Sequence, residues 1–379
     1  MEPLSIYVHI PFCMSKCHYC DFTSFICNKD TMDKYIEDLI REINLYKDKL
    51  GNYSIRTIFI GGGTPSSIDP KYIEKILRLI YKNFNIEKLQ EVSIEANPGT
   101  LDNHKARIYK QSGINRISLG LQTLNDNLLK TIGRIHTSQD FYESLNILRN
   151  EGFNNINVDL MFSLPGQTME DLENTLSEII RLDLEHISIY SLILEEDTPL
   201  AKLYDKGIYK EIDEDLDREM YHKSIEILKK SGYDHYEISN LTKGNYQCKH
   251  NLTYWKTQPY LGLGLGSHSN VFGKRFFNYS DFKSYGLALG KNKLPIQGEE
   301  SIDHLTSIVE YIIMGLRLID GIDKEEYKNI FGQDIDQRYA NVISKNKERG
   351  LIKESNSHIY LTEKGLDLGN LVEFDFYNI

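Results

Sequence analysis

The stretch SIYVHIPFCMSKCHYC, residues 5–20, decides how the rest of the chain is read. Its first half is a β-branched and aromatic run without helical spacing, so it forms a strand. Cys13, Cys17 and Cys20 follow at once, three of the chain's 5 cysteines. An odd count with three thiols crowded into one loop does not suit a disulfide framework and points to a metal or redox centre. Two ligand sets fit, beside the alternative of reduced cysteines with no ligand role. Three thiolates can hold one corner of a [4Fe-4S] cluster and leave its fourth iron free, or they can join His18 around a zinc ion. Cys27 and Cys248 lie outside the loop and read as ordinary buried thiols.

Working outward, the same kind of short run recurs as RTIFI (56–60), EVSIEAN (91–97), RISLGLQ (116–122), NINVDLMF (155–162) and HISIYSLIL (186–194). Between the runs, 31–50 places Ile36, Leu39, Ile40 and Ile43 on one helical stripe, and 70–84 does so with Ile73, Ile76, Leu77 and Ile80. Strand and helix alternate, so the fold class is α/β, with right-handed crossovers curling six parallel strands into a partial (β/α)6 barrel over residues 1–240. Residues 241–300, glycine- and aromatic-rich without periodicity, read as a connecting segment. Residues 301–379 read as a small, mainly helical, winged-helix-like domain: three helical patterns, then two short strands around a polar turn near 350–365.

Barrels of this kind place their chemistry at the carboxyl ends of the strands. There stand Gly61-Gly62-Gly63-Thr64-Pro65, whose missing Cβ atoms let a ligand approach the backbone or simply make a tight turn. The Gly-Lys-Ser/Thr ending of a phosphate loop is absent. Glu95, Gln122, Arg134 and Asp159 sit at or just after strand ends, either to grip a polar ligand or to pair internally, as Arg134 with Asp159 would. In His250-Asn251-Leu252-Thr253-Tyr254-Trp255 the imidazole can ligate iron while Tyr254 and the chain's only Trp stack on an apolar ring; the same residues could instead pack a domain junction. Cys248 and His268 are secondary ligand candidates.

A net charge of −11 disfavours nucleic acid as a partner, and the acidic balance of 301–379 argues against a DNA-binding use of the winged-helix pattern. No long apolar stretch marks an intrinsic membrane segment, and MEPLSIYVHI lacks the basic start of a secretory signal, so a cytoplasmic protein is expected.

The C-x3-C-x2-C loop after the first strand resembles the signature of the radical S-adenosylmethionine (SAM) superfamily. With GGGTPS, NRISLGLQTLNDNLLKTIGRIHT, NVDLMFSLPGQT and HNLTYW, the likeness narrows to the coproporphyrinogen-dehydrogenase-like branch over nearly the whole length. One arm of that branch is the oxygen-independent coproporphyrinogen III dehydrogenase, which decarboxylates two propionates to vinyl groups. The other is the HemW type of haem chaperone. Phe22 stands where the dehydrogenase motif has a fourth cysteine, Cys13 follows the start closely where the dehydrogenase has an extension, and HNLTYW matches the haem-binding motif H-N-x-x-Y-W of the HemW type.

The resemblance implies a [4Fe-4S] cluster on Cys13, Cys17 and Cys20 with SAM on the open iron. By aligned motif it implies Tyr7, Gly62, Gly63, Thr64, Glu95 and Ile193 around that SAM, and Tyr19, Gln122, Arg134 and Asp159 around a second one. It further implies haem at His250, an acceptor haemoprotein, an electron donor for the cluster, and room for a homodimer. The competing expectations are a coproporphyrinogen III dehydrogenase, another radical SAM enzyme, and a DNA-binding regulator.

Overall fold

The computed structural model describes residues 1–210 and 213–377. Six strands pair in sequence order, all parallel: β1 (Glu2–Ile10), β2 (Tyr53–Gly62), β3 (Glu91–Ala96), β4 (Arg116–Gln122), β5 (Ile156–Phe162) and β6 (His186–Ser191). The helices between them are α1 (Lys29–Tyr46), α2 (Pro70–Asn83), α3 (Asn103–Gln111), α4 (Asp126–Thr131), α5 (Ser138–Asn150) and α6 (Met169–Arg181). Helix starts carry side-chain caps. Asn28 accepts from the Thr31 N–H, Asp69 from that of Lys71, and Thr137 and Thr168 form capping boxes with Asp140 and Asp171. The stripe expected on α2 is the buried one.

The parallel strands alternate in polarity, an unusual pattern for strands covered on both faces. Leu4, Ile6, Val8 and Ile10 of β1, Val92, Ile94 and Ala96 of β3, and Ile156, Val158, Leu160 and Phe162 of β5 join the hydrophobic core with the helices. The alternate positions, among them Tyr7, Glu95, Ser118, Asn157, Asp159 and Ser188, line a small cavity inside the curl of the sheet. A strand's two-residue period fixes this division: helices cover one face and a polar interior occupies the other.

After β6 come α7 (Pro199–Asp205), α8 (Glu214–Lys230), and the strands β7 (Asp234–Glu237) and β8 (Asn240–Thr242), which extend the sheet antiparallel beyond β6. The segment 241–300, expected to be a connection, is built into the same sheet. It contains α9 (Lys249–Trp255), β9 (Tyr260–Leu263), β10 (His268–Val271), β11 (Lys274–Asn278), α10 (Phe282–Gly290) and β12 (Ile296–Glu300). β9 runs parallel to β1, a seventh parallel strand, and β10–β12 continue the sheet antiparallel. Its glycines hid it: a Cβ at Gly262 would stand 2.2 Å from the His268 carbonyl, so the residues that make this strand fit also erase its pattern.

Beyond β12, α11 (His304–Gly315) and further helices pack on a three-stranded antiparallel sheet of Ile322–Asp323, His358–Leu361 and Ile352–Glu354, around a separate hydrophobic core. Among the described residues no helix is long and apolar enough to cross a membrane.

One buried carboxyl fastens the 260–290 segment to the barrel. Glu42 of α1 accepts from the Gly264 N–H at 2.8 Å, the Asn278 amide at 2.6 Å and the Tyr285 hydroxyl at 2.5 Å. Burial pushes its pKa up to about 7, against the lowering effect of those three donors. A carboxyl whose folded pKa is raised keeps a proton that the unfolded chain has released, so it stabilises the fold below the ordinary carboxyl range and that contribution is lost as pH rises through 7. Urea unfolding of the wild type and Glu42→Gln from pH 5 to pH 8 should show the wild type losing on the order of 3 kcal/mol relative to the variant. A difference that stays flat over this range would refute the assignment.

Candidate functional site

The cysteine loop is held in place at its ends and its middle. Cys13 N–H donates to Phe25 O at 3.0 Å and Phe25 N–H to Pro11 O at 2.8 Å, which closes the loop. His18 N–H donates to Ile132 O at 2.9 Å and accepts at its carbonyl from Leu200 N–H at 2.8 Å, which ties its centre to the end of α4 and the start of α7. The three thiols are free and partly buried. Among the described residues no three His, Cys, Asp or Glu side chains gather as a single ion requires, and the His18 ring bonds Thr131 O at 3.2 Å. Zinc on three cysteines and His18 is therefore not the arrangement seen. Three thiolates that each take a different iron of a cubane need not converge in that way.

The glycine loop lies directly against the cysteines. Gly63 N–H donates to Ile10 O and Thr64 N–H to Phe12 O, and the Thr64 hydroxyl lies 3.6 Å from Cys13 Sγ. A Cβ on Gly63 would come within 2.7 Å of Phe12 O and 3.0 Å of Cys13 Sγ. Gly62 adopts φ +116° with the His9 ring packed where a side chain would go. This loop serves as a cradle rather than a plain turn.

Arg134 reaches the same place from beyond α4. It donates to Cys17 Sγ at 3.5 Å, to Asn97 Oδ1 at 2.9 Å and to the Gly120 carbonyl, and its Nε is buried without a partner. The internal pair with Asp159 does not form. Asp159 instead accepts from the Ser118 hydroxyl and the Asn157 amide, and burial raises its pKa. Glu95 accepts the Gly62 N–H at 3.0 Å, and burial lifts its pKa to about 8, with Asp159 adding to the rise. Gln122 sits at a register shift of β4 with φ +73°, a strained conformation of the sort that collects at functional sites. The Tyr7 hydroxyl bonds His9 Nδ1 at 3.0 Å, and Tyr19 packs with Leu128, Ile132 and Met161 beside Arg134. Ile193 lies past the end of β6 and is 70% exposed. Asn97, unmarked in the sequence, links Arg134 to Thr64 Oγ1 at 3.0 Å. Its position straight after the EVSIEA strand was the signal.

His250 is at the opposite end of the barrel. The helix α9 plugs the amino-terminal mouth, and Glu91 accepts the N–H groups of Lys249 and His250 at its start. His250 is 1% exposed, and burial lowers its pKa to about 3. Nδ1 bonds the Thr57 hydroxyl at 2.8 Å, which itself donates to Ser5 Oγ, so Nδ1 carries the hydrogen; Nε2 accepts from the Tyr254 hydroxyl at 2.9 Å. The unprotonated nitrogen that iron needs is thus covered by Tyr254. Trp255 does pack a junction, with the Arg317 guanidinium 4.5 Å above its ring. Cys248 is buried against Glu91, its pKa raised to about 12, and His268 stacks on Phe277; neither shares the cysteine loop.

Two family models match the chain: the radical SAM superfamily over residues 7–179 and the HemN C-terminal domain over residues 302–368. Among curated proteins, "Heme chaperone HemW" of Bacillus subtilis is 38% identical, with 97% of each chain covered. The protein of that name from Lactococcus lactis is 38% identical over 98% of this chain and 96% of its own. The coproporphyrinogen III oxidase HemN of Escherichia coli superposes with a TM-score of 0.87 over 100% of this chain and 90% of that one, at 21% identity, a likeness of fold alone.

The cradle makes a direct prediction. Overpacking a filled site costs roughly 1–3 kcal/mol, and here it must displace Phe12 or Cys13. Gly63→Ala should retain clearly less iron and sulfide per chain after anaerobic reconstitution than Gly290→Ala, where a Cβ meets nothing within 4 Å. Equal iron content in the two variants would contradict it.

Proposed function

Since the chain belongs to the HemW family of radical SAM proteins, we propose that it works as a haem chaperone, binding haem and passing it to an acceptor haemoprotein. It carries a [4Fe-4S] cluster and SAM as its other cofactors. The observation that carries this is the 38% identity to heme chaperones along 97% of both chains.

Cys13, Cys17 and Cys20 are the proposed cluster ligands, with Thr64 and Arg134 beside two of them. Gly62, Gly63 and Glu95 offer backbone room and a carboxyl to the amino-acid end of SAM, and Tyr7 and Ile193 lie below and outside it. When bound, the cluster supplies an electron to SAM. Tyr19, Gln122, Arg134 and Asp159 lie near one another: the Arg134 guanidinium and the Gln122 amide meet over Gly120, and Tyr19 and Asp159 are both close enough to feel the Arg134 charge. This neighbourhood supports the second SAM position that the resemblance implies. Haem ligation at His250 requires the Tyr254 hydroxyl to release Nε2. An electron donor and a cytoplasmic setting belong to this reading. Met14 and Phe22, 62% and 64% exposed in and just beyond the cysteine loop, make it reachable from outside.

The fold likeness to the oxidase keeps a dehydrogenase as the second reading. Against it, Phe22 stands where the dehydrogenase motif has a fourth cysteine.

The reconstituted chain should bind haem with a Soret shift and transfer it to an apo-haemoprotein, and it should convert no coproporphyrinogen III under conditions where an authentic dehydrogenase does. His250→Ala should weaken haem binding about tenfold or more, as loss of one strong ligand contact would. Unchanged affinity in the variant removes His250 from the site. Turnover at the control's rate overturns the chaperone reading.

A further inference from the structure

The outer face of α9 borders a second cavity of about 500 Å³. It lies at the seam between the sheet edge and the C-terminal unit. Ile238 N–H donates to Arg317 O and Ile319 N–H to Tyr236 O, both at 3.1 Å, so residues 317–319 run along β7 and fix Arg317 at that seam. Tyr221, Tyr254, Trp255 and Ile238 form apolar and aromatic wall. Asn251 and Tyr254 line both this cleft and the chamber inside the barrel. The motif helix is therefore the partition between the two spaces.

The cleft's polar groups are incomplete in a specific way. Its charged lining is Arg218, Glu237 and Arg317. Arg218 is already committed to Asp217 and Asp367. Burial raises the pKa of Glu237, which moves it toward its neutral form, although the nearby Arg317 charge opposes that. Arg317 has no carboxylate at ion-pairing distance among the described residues; it stacks on Trp255 instead. Two neighbouring donors, Arg317 Nε and Trp255 Nε1, are buried and have no acceptor, and on the acceptor side Glu237 Oε2 and Asn240 Oδ1 are buried without a donor. Buried donors without partners are costly, and two on stacked groups are suited to one acceptor with two lone-pair-bearing oxygens, which is a carboxylate.

We infer that Arg317, with the Trp255 indole N–H, is the carboxylate anchor of the haem site. It holds a propionate of the macrocycle at the seam while the ring lies along Tyr254 and Tyr221. This deepens the haem reading and rests on it. In a chain of net charge −11, an unpaired guanidinium beside an aromatic wall also disfavours uncharged ring systems as competitors.

The test is a titration of the reconstituted full-length chain with haem and with haem dimethyl ester, whose propionates are neutral. The wild type should prefer the free acid by roughly ten- to a hundredfold, the span of one charge-assisted contact. Arg317→Gln should lose that preference by weakening haem and leaving the ester unchanged, which also reports an intact fold, and Arg317→Lys should keep part of it. Equal binding of acid and ester by the wild type, a comparison that needs no variant, overturns the anchor while leaving the chaperone reading intact. So does a preference that survives in Arg317→Gln. Binding of neither compound by the wild type defeats the parent reading and the anchor with it.

Discussion

The structure depends on pairing the polar groups of the barrel interior with one another. Alternate residues of β1 to β6 turn hydroxyl, amide, carboxyl, guanidinium and imidazole groups inward, and each would cost on the order of 1–3 kcal/mol if left without a partner. The strands answer part of this among themselves: Asn157 bonds Ser118, Asp159 and His186, and Thr57 bonds Ser5. The rest is met by the segment after the sixth strand. Glu91 caps α9, Thr57 and Ser5 meet His250 and Thr253, and the Tyr236 hydroxyl joins His186 to the Cys248 N–H. The floor is therefore a requirement of the interior.

That requirement separates two ends with different chemistry. At the carboxyl ends of the strands the backbone does the holding: Gly63 and Thr64 bond the residues that lead into Cys13, and only glycine fits the contact. At the other end side chains do it, in a network with few open positions. Between them, Glu95 sits under Gly62 with a pKa near 8. Burial favours the neutral form of both groups, the protonated carboxyl there and the unprotonated imidazole of the floor.

How much was legible follows from which physics writes itself in a single chain. Strands and amphipathic helices of the six βα units show as period-two and period-3.6 runs of apolar residues, and the cysteine and glycine loops show by spacing. The polar half of each strand was legible only in part. Glu95 and Asp159 stood out near strand ends, while Glu91, Arg116, Asn157 and His186, at strand starts, carry no motif that marks them. The seventh parallel strand was hidden by glycines chosen for close approach. Arg317 carried no signal at all, since it is remote in sequence from Trp255 and meaningful only once the C-terminal unit is laid along β7.

The H-N-x-x-Y-W run illustrates why a motif's residues need not face one ligand. On a helix of 3.6 residues per turn, positions 250 and 253 point one way and 251 and 255 another. Here the first pair completes the floor and the second borders the cleft, with Tyr254 touching both. A ligand that takes His250 Nε2 must displace the Tyr254 hydroxyl, and that hydroxyl must then find an acceptor on the chamber side or the cleft side. Occupancy of the cleft and the polar state of the chamber are thereby linked through one side chain. Thermodynamic linkage makes any such coupling reciprocal: whatever in the chamber favours a displaced Tyr254 strengthens binding in the cleft by the same factor.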